Sequence, residues 1–399
     1  MGVEIRPALP EEMDEFYRVA STALSLTPGK ELEVNPDWTF CAFEDGKLAT
    51  SFGAWPLTMR FNGEGIPVAG VTLVGTLPIY RRRGYLRKIM TGFFEKLHER
   101  GEQSIAILYA SMAAIYQRYG YGIVSSRNTY NIEPRFLQFT LPIETPGTFR
   151  ELGDDDKSFG MLVDLYRRFR VNRMGYSHRG RAMWKAGVLE DPPAKGPLGK
   201  VVYEEDGVPL GYTVYTMEET TNGAMSKKTL VVRDAIWLSP SAYRAIWNYY
   251  ANFDLADNIV WNRVPPDDPL PHMILEPRKL NTTSADGLLG RIVDLEQALP
   301  KRPYPEEATL TFDVTDELCP WNNGRWKLET SAAASRISHT DEEPQLRMPI
   351  STLAMLVFGQ LSATEASRMK RLDALDPDAL PTWDKTMRTL YRPFCADNF

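Results

Sequence analysis

Residues 71–97 give the clearest indication of fold class in this chain, and they read VTLVGTLPIYRRRGYLRKIMTGFFEKL. An apolar, β-branched run predicts a strand that stops near Pro78, and the cationic run Arg81–Arg83 then leads through Gly84 into a helix. The apolar residues of this helix share one face at a period of 3.6 residues: Leu86, Ile89, Met90, Phe93, Phe94 and Leu97. Gly101 is a suitable C-terminal stop for the helix.

The junction between this strand and helix is suited to hold a phosphate group. The first-turn N–H groups of a helix have no intrahelical acceptor, and the helix dipole attracts an anion to them. Gly84 removes a side chain where a ligand must approach the backbone. The spacings GxxxxGK[ST] and GxGxxG are both missing, which excludes a Walker loop and a Rossmann fingerprint. For the RRRG run alone, the alternative is an arginine-rich helix start on a solvated face.

Bulk composition limits the classes of function. The chain has 399 residues, of which 43% are hydrophobic and 25% charged, as is typical of a globular protein with two or three domains. A net charge of −6 argues against general nucleic-acid binding and suits a cationic acceptor. The three cysteines, Cys41, Cys319 and Cys395, are far apart and predict a reduced, cytoplasmic protein.

Signals for secretion, membrane insertion and metal binding are weak. The start, MGVEIRPALPEEMDEF, has no cationic n-region or apolar h-region, so no signal peptide is expected. The most apolar later run, near 353–361, is too short to span a bilayer, so no membrane partner is expected. The four histidines lie singly and no cluster has metal-ligand spacing, so no metal is expected.

The order of predicted elements divides the chain into three blocks, 1–146, 147–280 and 281–399. The first block carries a hairpin around Asp45-Gly46, a strong turn signal, before the strand and helix of 71–97. Hairpin, strand and helix in this order indicate an α/β or α+β domain. The third block has a half-buried strand, an Asn-Gly turn and two late helices, near 350–361 and 380–391.

The second block repeats the order of the first. A Glu-Asp-Gly turn at 205–207 lies in a predicted hairpin, and a strand at 229–237 precedes a helix at 242–250. At this junction Ser239 is a good N-cap and Pro240 a good first helical residue, so the helix start lacks the Arg-Arg-Gly chemistry. We interpret the block as a degenerate copy of the first; a coincidental α/β domain is the alternative.

Three motifs resemble one protein family. A strand, a Pro and R-x-x-G-x at a helix start resemble the acetyl-CoA signature of the GCN5-related N-acetyltransferases (GNATs), although Leu86 stands where that superfamily prefers Gly or Ala. The longer string VAGVTLVGTLPIYRRRGYLRKIM, 68–90, resembles the Eis-like (enhanced intracellular survival) branch. The string VTDELCPWNNGRWKLE, 314–329, resembles the sterol-carrier-like domain of the same branch. The resemblance implies an α/β (α+β) chain of tandem GNAT domains, the second degenerate and without acetyl-CoA, and a C-terminal sterol-carrier-like domain.

The resemblance also implies which residues contact acetyl-CoA. The strand edge that pairs with pantetheine corresponds to Val74, Gly75 and Thr76. The residues that supply N–H groups and charge to the pyrophosphate correspond to Arg82, Arg83, Gly84, Tyr85, Leu86 and Arg87. Two further contacts of the family carry over to Tyr116 and Gln117.

A general acid and a general base are implied in the same way. The segment ASMAAIYQRYGYGI, 110–123, matches the Eis-like pattern I-Y-x-R-[FY]-G-Y, in which Tyr121 takes the position of the general acid. The alternative is a core tyrosine with a satisfied hydroxyl. The family's base is the C-terminal carboxylate of a terminal aromatic residue, which corresponds to Phe399, with Asp397 as the alternative carboxylate.

The expected activity is therefore acetyl-CoA-dependent N-acetylation of an amine by direct attack. The resemblance implies aminoglycosides, other polyamines or protein lysines as acceptors, no nucleic-acid partner, and a homo-hexamer. The alternative function is a non-catalytic acyl-CoA-binding or lipid-binding protein that retains the fold. The third domain's lipid binding rests on fold analogy alone, and we expect that domain to deliver the C-terminus to the active site.

Overall fold

The structure, a computed structural model, describes residues 2–25, 33–190, 197–222, 225–331 and 334–399. The α-helices of this part of the chain are α1 Met13–Leu24, α2 Tyr85–Arg100, α3 Ala113–Gln117, α4 Asp156–Arg170, α5 Arg181–Ala186, α6 Pro240–Ala251, α7 Leu295–Ala298, α8 Ile350–Phe358, α9 Ala363–Arg368 and α10 Leu380–Met387. The strands are β1 Val3–Arg6, β2 Cys41–Glu44, β3 Lys47–Phe61, β4 Glu64–Thr76, β5 Ile105–Leu108, β6 Gly122–Ile123, β7 Ser126–Ile132, β8 Thr148–Glu151, β9 Leu198–Glu205, β10 Val208–Asn222, β11 Met225–Trp237, β12 Asn258–Val264, β13 Thr283–Asp286, β14 Leu289–Ile292, β15 Ala308–Thr315, β16 Gly324–Thr330, β17 Arg336–His339, β18 Leu346–Pro349 and β19 Asp373–Ala374. None of these helices is both long enough and apolar enough to cross a membrane.

The chain folds into two compact units. Unit 1 comprises 1–125, 174–178 and 287–399, and unit 2 comprises 126–173 and 179–286. Unit 1 therefore joins the first and third predicted blocks, together with a short segment from the middle of the chain.

The seven-stranded sheet of unit 1 includes a strand from late in the sequence. Its order is β1-β2-β3-β4-β5-β14-β6, in which β14 runs antiparallel to both β5 and β6. Strand β7 instead joins the sheet of unit 2, whose order is β13-β7-β12-β11-β10-β9-β8. Strand β7 thus comes before the predicted limit at 146/147 but joins the sheet of unit 2, and β14 comes after the limit at 280/281 but joins the sheet of the first block. Strand pairing depends on partners that are remote in sequence.

The two GNAT-like sheets are built around matching turns. Asp45 and Gly46 both have positive φ, +49° and +77°, and so do Asp206 and Gly207, +49° and +74°. Two consecutive positive φ values produce the tight turn that matches the twist of a hairpin. The predicted internal repeat of hairpin, long strand and helix is therefore confirmed in units 1 and 2.

Helix α2 follows the predicted pattern closely. Ile89, Met90, Phe93, Phe94 and Leu97 are buried, and the helix ends where Gly101 adopts a φ of +69° and donates to the Leu97 carbonyl at 3.0 Å. Burying five such side chains contributes about 1.5–3 kcal/mol each, before the entropy cost of ordering them.

The third domain packs on the first through a shared core inside unit 1. Its five-stranded sheet has the order β17-β16-β15-β18-β19. Every residue of α8 except Ser351 is buried, and the ring of Phe358 lies 5.4 Å from that of Phe61 on β3. Helix α8 ends at Phe358, short of the predicted Leu361, because Gly359 adopts a φ of +77°.

Candidate active site

Strands β4 and β5 separate near the middle of the unit 1 sheet. They pair in parallel only at Ala69–Ala106 and Gly70–Ile107, while β4 continues to Thr76. Beyond Gly70 no strand of the described residues is registered with the edge of β4 that faces β5, which leaves room for a ligand beside this edge. The Thr76 carbonyl at its end already accepts a hydrogen bond from the Arg81 guanidinium at 3.1 Å. Residues 74–76, predicted to contact pantetheine, lie on this diverging part.

A bulge shapes the diverging strand. The pairing of β3 with β4 shifts register between Ser51 and Gly53, and Leu73 adopts a φ of +50°. The Ser51 hydroxyl donates to the Leu73 carbonyl at 2.9 Å, which satisfies a group that the bulge removes from the ladder. Gly75 packs against α1, because a Cβ there would lie 2.7 Å from that of Ala23.

The N-terminus of α2 is open. Gly84 is its N-cap residue, with a φ of +79°, and makes no side-chain cap. Arg82, two residues earlier, also has a positive φ of +64°. A helix start without a capping side chain leaves the first-turn N–H groups to an external acceptor, and the space that a Cβ on Gly84 would occupy is empty. This geometry fits an anion such as a pyrophosphate.

Two arginines at this helix start are already paired with carboxylates. Arg83 donates to both carboxylate oxygens of Glu44, at 2.5 and 2.8 Å, and the Tyr85 hydroxyl donates to the same carboxylate. Arg87 pairs with Glu317 at 2.6 Å. Arg82 is exposed, and within the described ranges its side chain has no hydrogen-bond or ion-pair partner. Of the predicted phosphate contacts, Arg82 is therefore the one whose charge is not shared with a carboxylate.

The other predicted contacts differ in exposure. Leu86 is half-buried against the core of the first domain. Tyr116 is buried, and its burial raises the pKa of its hydroxyl to about 12. Gln117 is exposed and lines a pocket of about 370 Å³, together with Arg118 and residues 315–318 of the third domain.

Tyr121 is fully buried in the first domain. Its ring lies 6.1 Å from that of Phe94 and 6.0 Å from that of Tyr116. Among the residues that the structure describes, its hydroxyl has no hydrogen-bond partner, an unusual state for a buried polar group. Burial raises the pKa of Tyr121 far above its ordinary value, and the charge of Arg291 opposes that rise. The hydroxyl is therefore protonated at neutral pH and available to an acceptor that a ligand would bring.

Arg291 joins the loop of Tyr121 to the third domain. The guanidinium donates to both oxygens of Asp316, at 2.7 and 2.8 Å, and to the carbonyl of Tyr119, at 2.9 Å. Gly120 passes so close that a Cβ there would lie 2.8 Å from the Arg291 Nε. This ion pair is fully buried, so its loss would leave an uncompensated charge.

Phe399 lies where β4 and β5 part. The ring of Phe399 is 5.4 Å from that of Tyr109, which follows β5. A Cβ on Gly70, the last residue of β4 that pairs with β5, would lie 3.1 Å from the Phe399 Cδ2. The Tyr109 hydroxyl also donates to the carbonyl of Cys395 at 3.0 Å. Asp397, the alternative carboxylate, is buried and accepts a hydrogen bond from the Ser177 hydroxyl.

Comparison with known proteins identifies the domains of this chain. Acetyltransferase (GNAT) domain models match residues 4–124 and 175–292, and a sterol carrier protein domain model matches 295–396. A protein named "Uncharacterized N-acetyltransferase" from Streptomyces avermitilis is 28% identical over 84% of this chain and 83% of its own length. N-acetyltransferase Eis of Mycobacterium tuberculosis is 26% identical over 87% of this chain and 88% of its own. The crystal structure of Eis1 from Mycobacterium abscessus is 29% identical, covers 100% of both chains, and superimposes with a TM-score of 0.85.

The chain belongs to the Eis-like acetyltransferases. It is accordingly an amine N-acetyltransferase, an enzyme class that uses acetyl-CoA as its co-substrate. The predicted organisation of two GNAT domains and a sterol-carrier-like domain is confirmed.

The second GNAT domain of this Eis-like enzyme has a different helix start. The Ser239 hydroxyl accepts a hydrogen bond from the Ala242 N–H at 3.1 Å, and Pro240 opens α6. A side-chain oxygen therefore stands where α2 leaves its N–H groups open. The same turn and strand order thus leads to a capped helix in one domain and an anion-ready helix in the other.

Sequence reasoning missed three features of the site. Glu44 accepts hydrogen bonds from two predicted phosphate contacts, Arg83 and Tyr85, and its only signal is its place directly before the Asp45-Gly46 turn. Arg291 belongs to β14, which follows Tyr121 by about 170 residues in the sequence, so no local pattern connects the two residues. The segment 174–178, which joins unit 1, carries no periodic signal at all.

Proposed function

We propose that this Eis-like enzyme transfers the acetyl group of acetyl-CoA directly to an amine of a cationic acceptor. The observation that carries the proposal is the packing of Phe399 at the fork of β4 and β5, the point beyond Gly70 and Ile107 where the two strands separate. A chain end that packs on Gly70 and Tyr109 lies beside the strand edge proposed to pair with pantetheine. No covalent nucleophile is needed if the amine attacks the thioester itself.

The co-substrate is proposed to lie along the diverging edge of β4 and the open start of α2. Backbone groups of Val74, Gly75 and Thr76 hydrogen-bond the pantetheine arm in this proposal. The N–H groups that follow Gly84 and the unpaired guanidinium of Arg82 hold the pyrophosphate. Arginine suits this task because its planar fork donates two hydrogen bonds to one phosphate.

The proposed chemistry balances with two protein groups. The amine nitrogen attacks the thioester carbonyl carbon, a C–N bond forms, and the α-carboxylate of Phe399 accepts the amine proton. The C–S bond breaks, and the departing sulfur takes the hydroxyl proton of Tyr121. Proton exchange with solvent then restores the Tyr121 hydroxyl and the Phe399 carboxylate. A carboxylate of reference pKa about 3.3–3.7 is ionised at neutral pH and also attracts an ammonium.

The acceptor class is proposed from charge and resemblance. A net charge of −6 favours cationic molecules, and the Eis-like family points to aminoglycosides, polyamines and protein lysines. The same resemblance favours a cytoplasmic location and a homo-hexamer. Light scattering coupled to size-exclusion chromatography tests the hexamer directly.

The test is thiol release from acetyl-CoA by the full chain with no added C-terminal residues. The panel contains an aminoglycoside, spermidine and a lysine-rich peptide, and mass spectrometry of each acceptor identifies the product. Acceptor-dependent release with a mass gain of one acetyl group or more supports the proposal. Saturable acetyl-CoA binding without release for any acceptor would favour an acyl-CoA-binding role instead.

A further inference from the structure

A segment from the middle of the chain pairs with β3 in unit 1. This strap, residues Met174–His178, has neighbours in sequence on both sides that belong to unit 2. Its backbone pairs with the far half of β3: Gly175 donates to Arg60 at 2.8 Å, Arg60 donates to Tyr176 at 2.8 Å, and the His178 N–H donates to Thr58 at 2.7 Å. The strap is therefore fixed to the sheet that carries the diverging strand.

The strap also holds the tail, residues 388–399, that carries the chain end. The Phe394 N–H donates to the Met174 carbonyl at 3.0 Å, and the ring of Phe394 lies 5.7 Å from that of Tyr176. The Ser177 hydroxyl donates to the carboxylate of Asp397. Backbone, ring and side-chain contacts thus place the tail along the strap from Phe394 to Asp397.

Gly175 sets the distance between the strap and the tail. Its φ is +91°, a conformation that favours glycine. A Cβ at this position would lie 2.8, 3.2 and 3.3 Å from the O, C and N atoms of Phe394. All three are backbone atoms, so a side chain cannot be accommodated by a rotamer change and the tail itself must move.

The tail reaches the fork of β4 and β5 soon after this contact. The Tyr109 hydroxyl binds the carbonyl of Cys395, the next residue after Phe394. Phe399 then packs on Tyr109 and against Gly70. Because so few residues separate Phe394 from the chain end, a displacement at Phe394 is transmitted to the α-carboxylate.

We propose that the strap is a positioning element for acetyl transfer, and that Gly175, through Phe394, sets the place of the Phe399 carboxylate. This inference rests on the proposed role of that carboxylate as the base. Gly175 contacts neither the helix start at Gly84 nor the strand edge at 74–76, so its effect is expected on the reaction step and not on acetyl-CoA binding.

The test compares Gly175→Ala with the wild-type full chain. We expect kcat to fall by about 10- to 100-fold, because a displacement near 1 Å of a reacting group costs up to about 10²-fold. We expect the KM for acetyl-CoA to stay within about twofold, since uniform binding is untouched. Added imidazole, a free base, is expected to restore part of the lost rate.

The matched control is Gly207→Ala. Gly207 has a similar φ of +74°, but nothing lies within 4 Å of the position of its added Cβ. The control imposes the same backbone strain without touching the tail, and we expect kcat to be unchanged. An equal loss of kcat in both variants would overturn the positioning role.

Deletion of Phe399 separates this inference from the proposed function. If the deletion leaves kcat unchanged, the carboxylate is not the base, and that assignment and the positioning role fail together while acetyl transfer itself stands. If the deletion lowers kcat but Gly175→Ala does not, only the positioning role fails. Should Gly175→Ala not fold, Ser177→Ala takes its place: a lowered kcat rescued by imidazole supports the inference, and an unchanged kcat overturns it.

Discussion

Replacing Tyr121 by Phe is expected to stabilise the enzyme while slowing acetyl transfer. The Tyr121 hydroxyl is fully buried and has no hydrogen-bond partner in the described part of the chain. A buried polar group left unpaired costs about 1–3 kcal/mol relative to its hydration in the unfolded chain. Removing the oxygen should therefore raise the free energy of unfolding by about 1–2 kcal/mol, or Tm by about 2–4 °C.

The expected effect on the reaction has the opposite sign. Loss of a positioned general acid typically lowers the rate by about 10²–10⁴-fold. The assay is acceptor-dependent thiol release under saturating acetyl-CoA, measured beside urea denaturation of the same preparation. A gain in stability combined with a loss of turnover identifies a hydroxyl that is retained for its chemistry.

Tyr304→Phe is the matched control for this substitution. Tyr304 is also buried, but its hydroxyl donates to the Leu299 carbonyl at 2.9 Å. Removing that hydroxyl should lower the free energy of unfolding by about 0.5–1.5 kcal/mol and leave turnover intact. Two results would refute the reasoning: Tyr121→Phe destabilising the chain as Tyr304→Phe does, or Tyr121→Phe leaving turnover unchanged.

Three further outcomes are expected. Arg82→Ala should raise the KM for acetyl-CoA by about tenfold, and Arg83→Ala by less, because Glu44 already neutralises Arg83. Steady-state kinetics of the two variants measure this difference, and an equal rise in KM would contradict the assignment of Arg82 as the main phosphate contact. Arg302→Met should lower the free energy of unfolding, measured in urea, by at least about 3 kcal/mol, because this buried guanidinium donates to several carbonyl oxygens, among them those of Val357 in the last turn of α8 and Met387 at the end of α10. A loss below about 1 kcal/mol would contradict this. Burial raises the pKa of the Asp268 carboxyl to about 7, whereas its pKa in the unfolded chain is about 3.9. The folded state therefore retains this proton to a higher pH than the unfolded chain does. The free energy of unfolding should therefore fall as pH rises from about 4 to about 7, and the same pH series on Asp268→Asn should lack that contribution.

Local features of the sequence predicted the local structure well. The Asp45-Gly46 turn, the apolar face of α2 and the Ser239 cap depend on residues within a few positions of one another, and the structure confirms them. One turn of the third domain differs from the prediction. Asn323-Gly324 was predicted to form a tight two-residue turn, but β15 and β16 are joined by a longer connection, residues 316–323, and Gly324 is the first residue of β16.

Long-range pairing could not be predicted from the sequence. The place of β14 between β5 and β6 depends on hydrogen bonds between segments about 180 residues apart. The engagement of Arg83 by Glu44 likewise depends on how a hairpin and a helix start meet in space. Periodicity reports which face of an element is buried, and it carries no information on which element buries it.

The contrast between the two GNAT domains shows how small a change can separate a binding site from a structural copy. Both units use the same turn, a bulged hairpin and a helix that follows the long strand. At the helix start, one has Gly84 and the other Ser239. A hydroxyl that caps the helix stabilises it by about 1 kcal/mol and occupies the position an anion would take.

The most direct test of the account is to move the C-terminal carboxylate without removing the aromatic ring. Appending one glycine after Phe399 shifts the carboxylate by one residue, about 3.8 Å, and keeps the packing on Tyr109 and Gly70. We expect acceptor-dependent thiol release to fall by about 10²-fold or more while acetyl-CoA binds with unchanged affinity. Full turnover by the extended chain would contradict the claim that this carboxylate is the base.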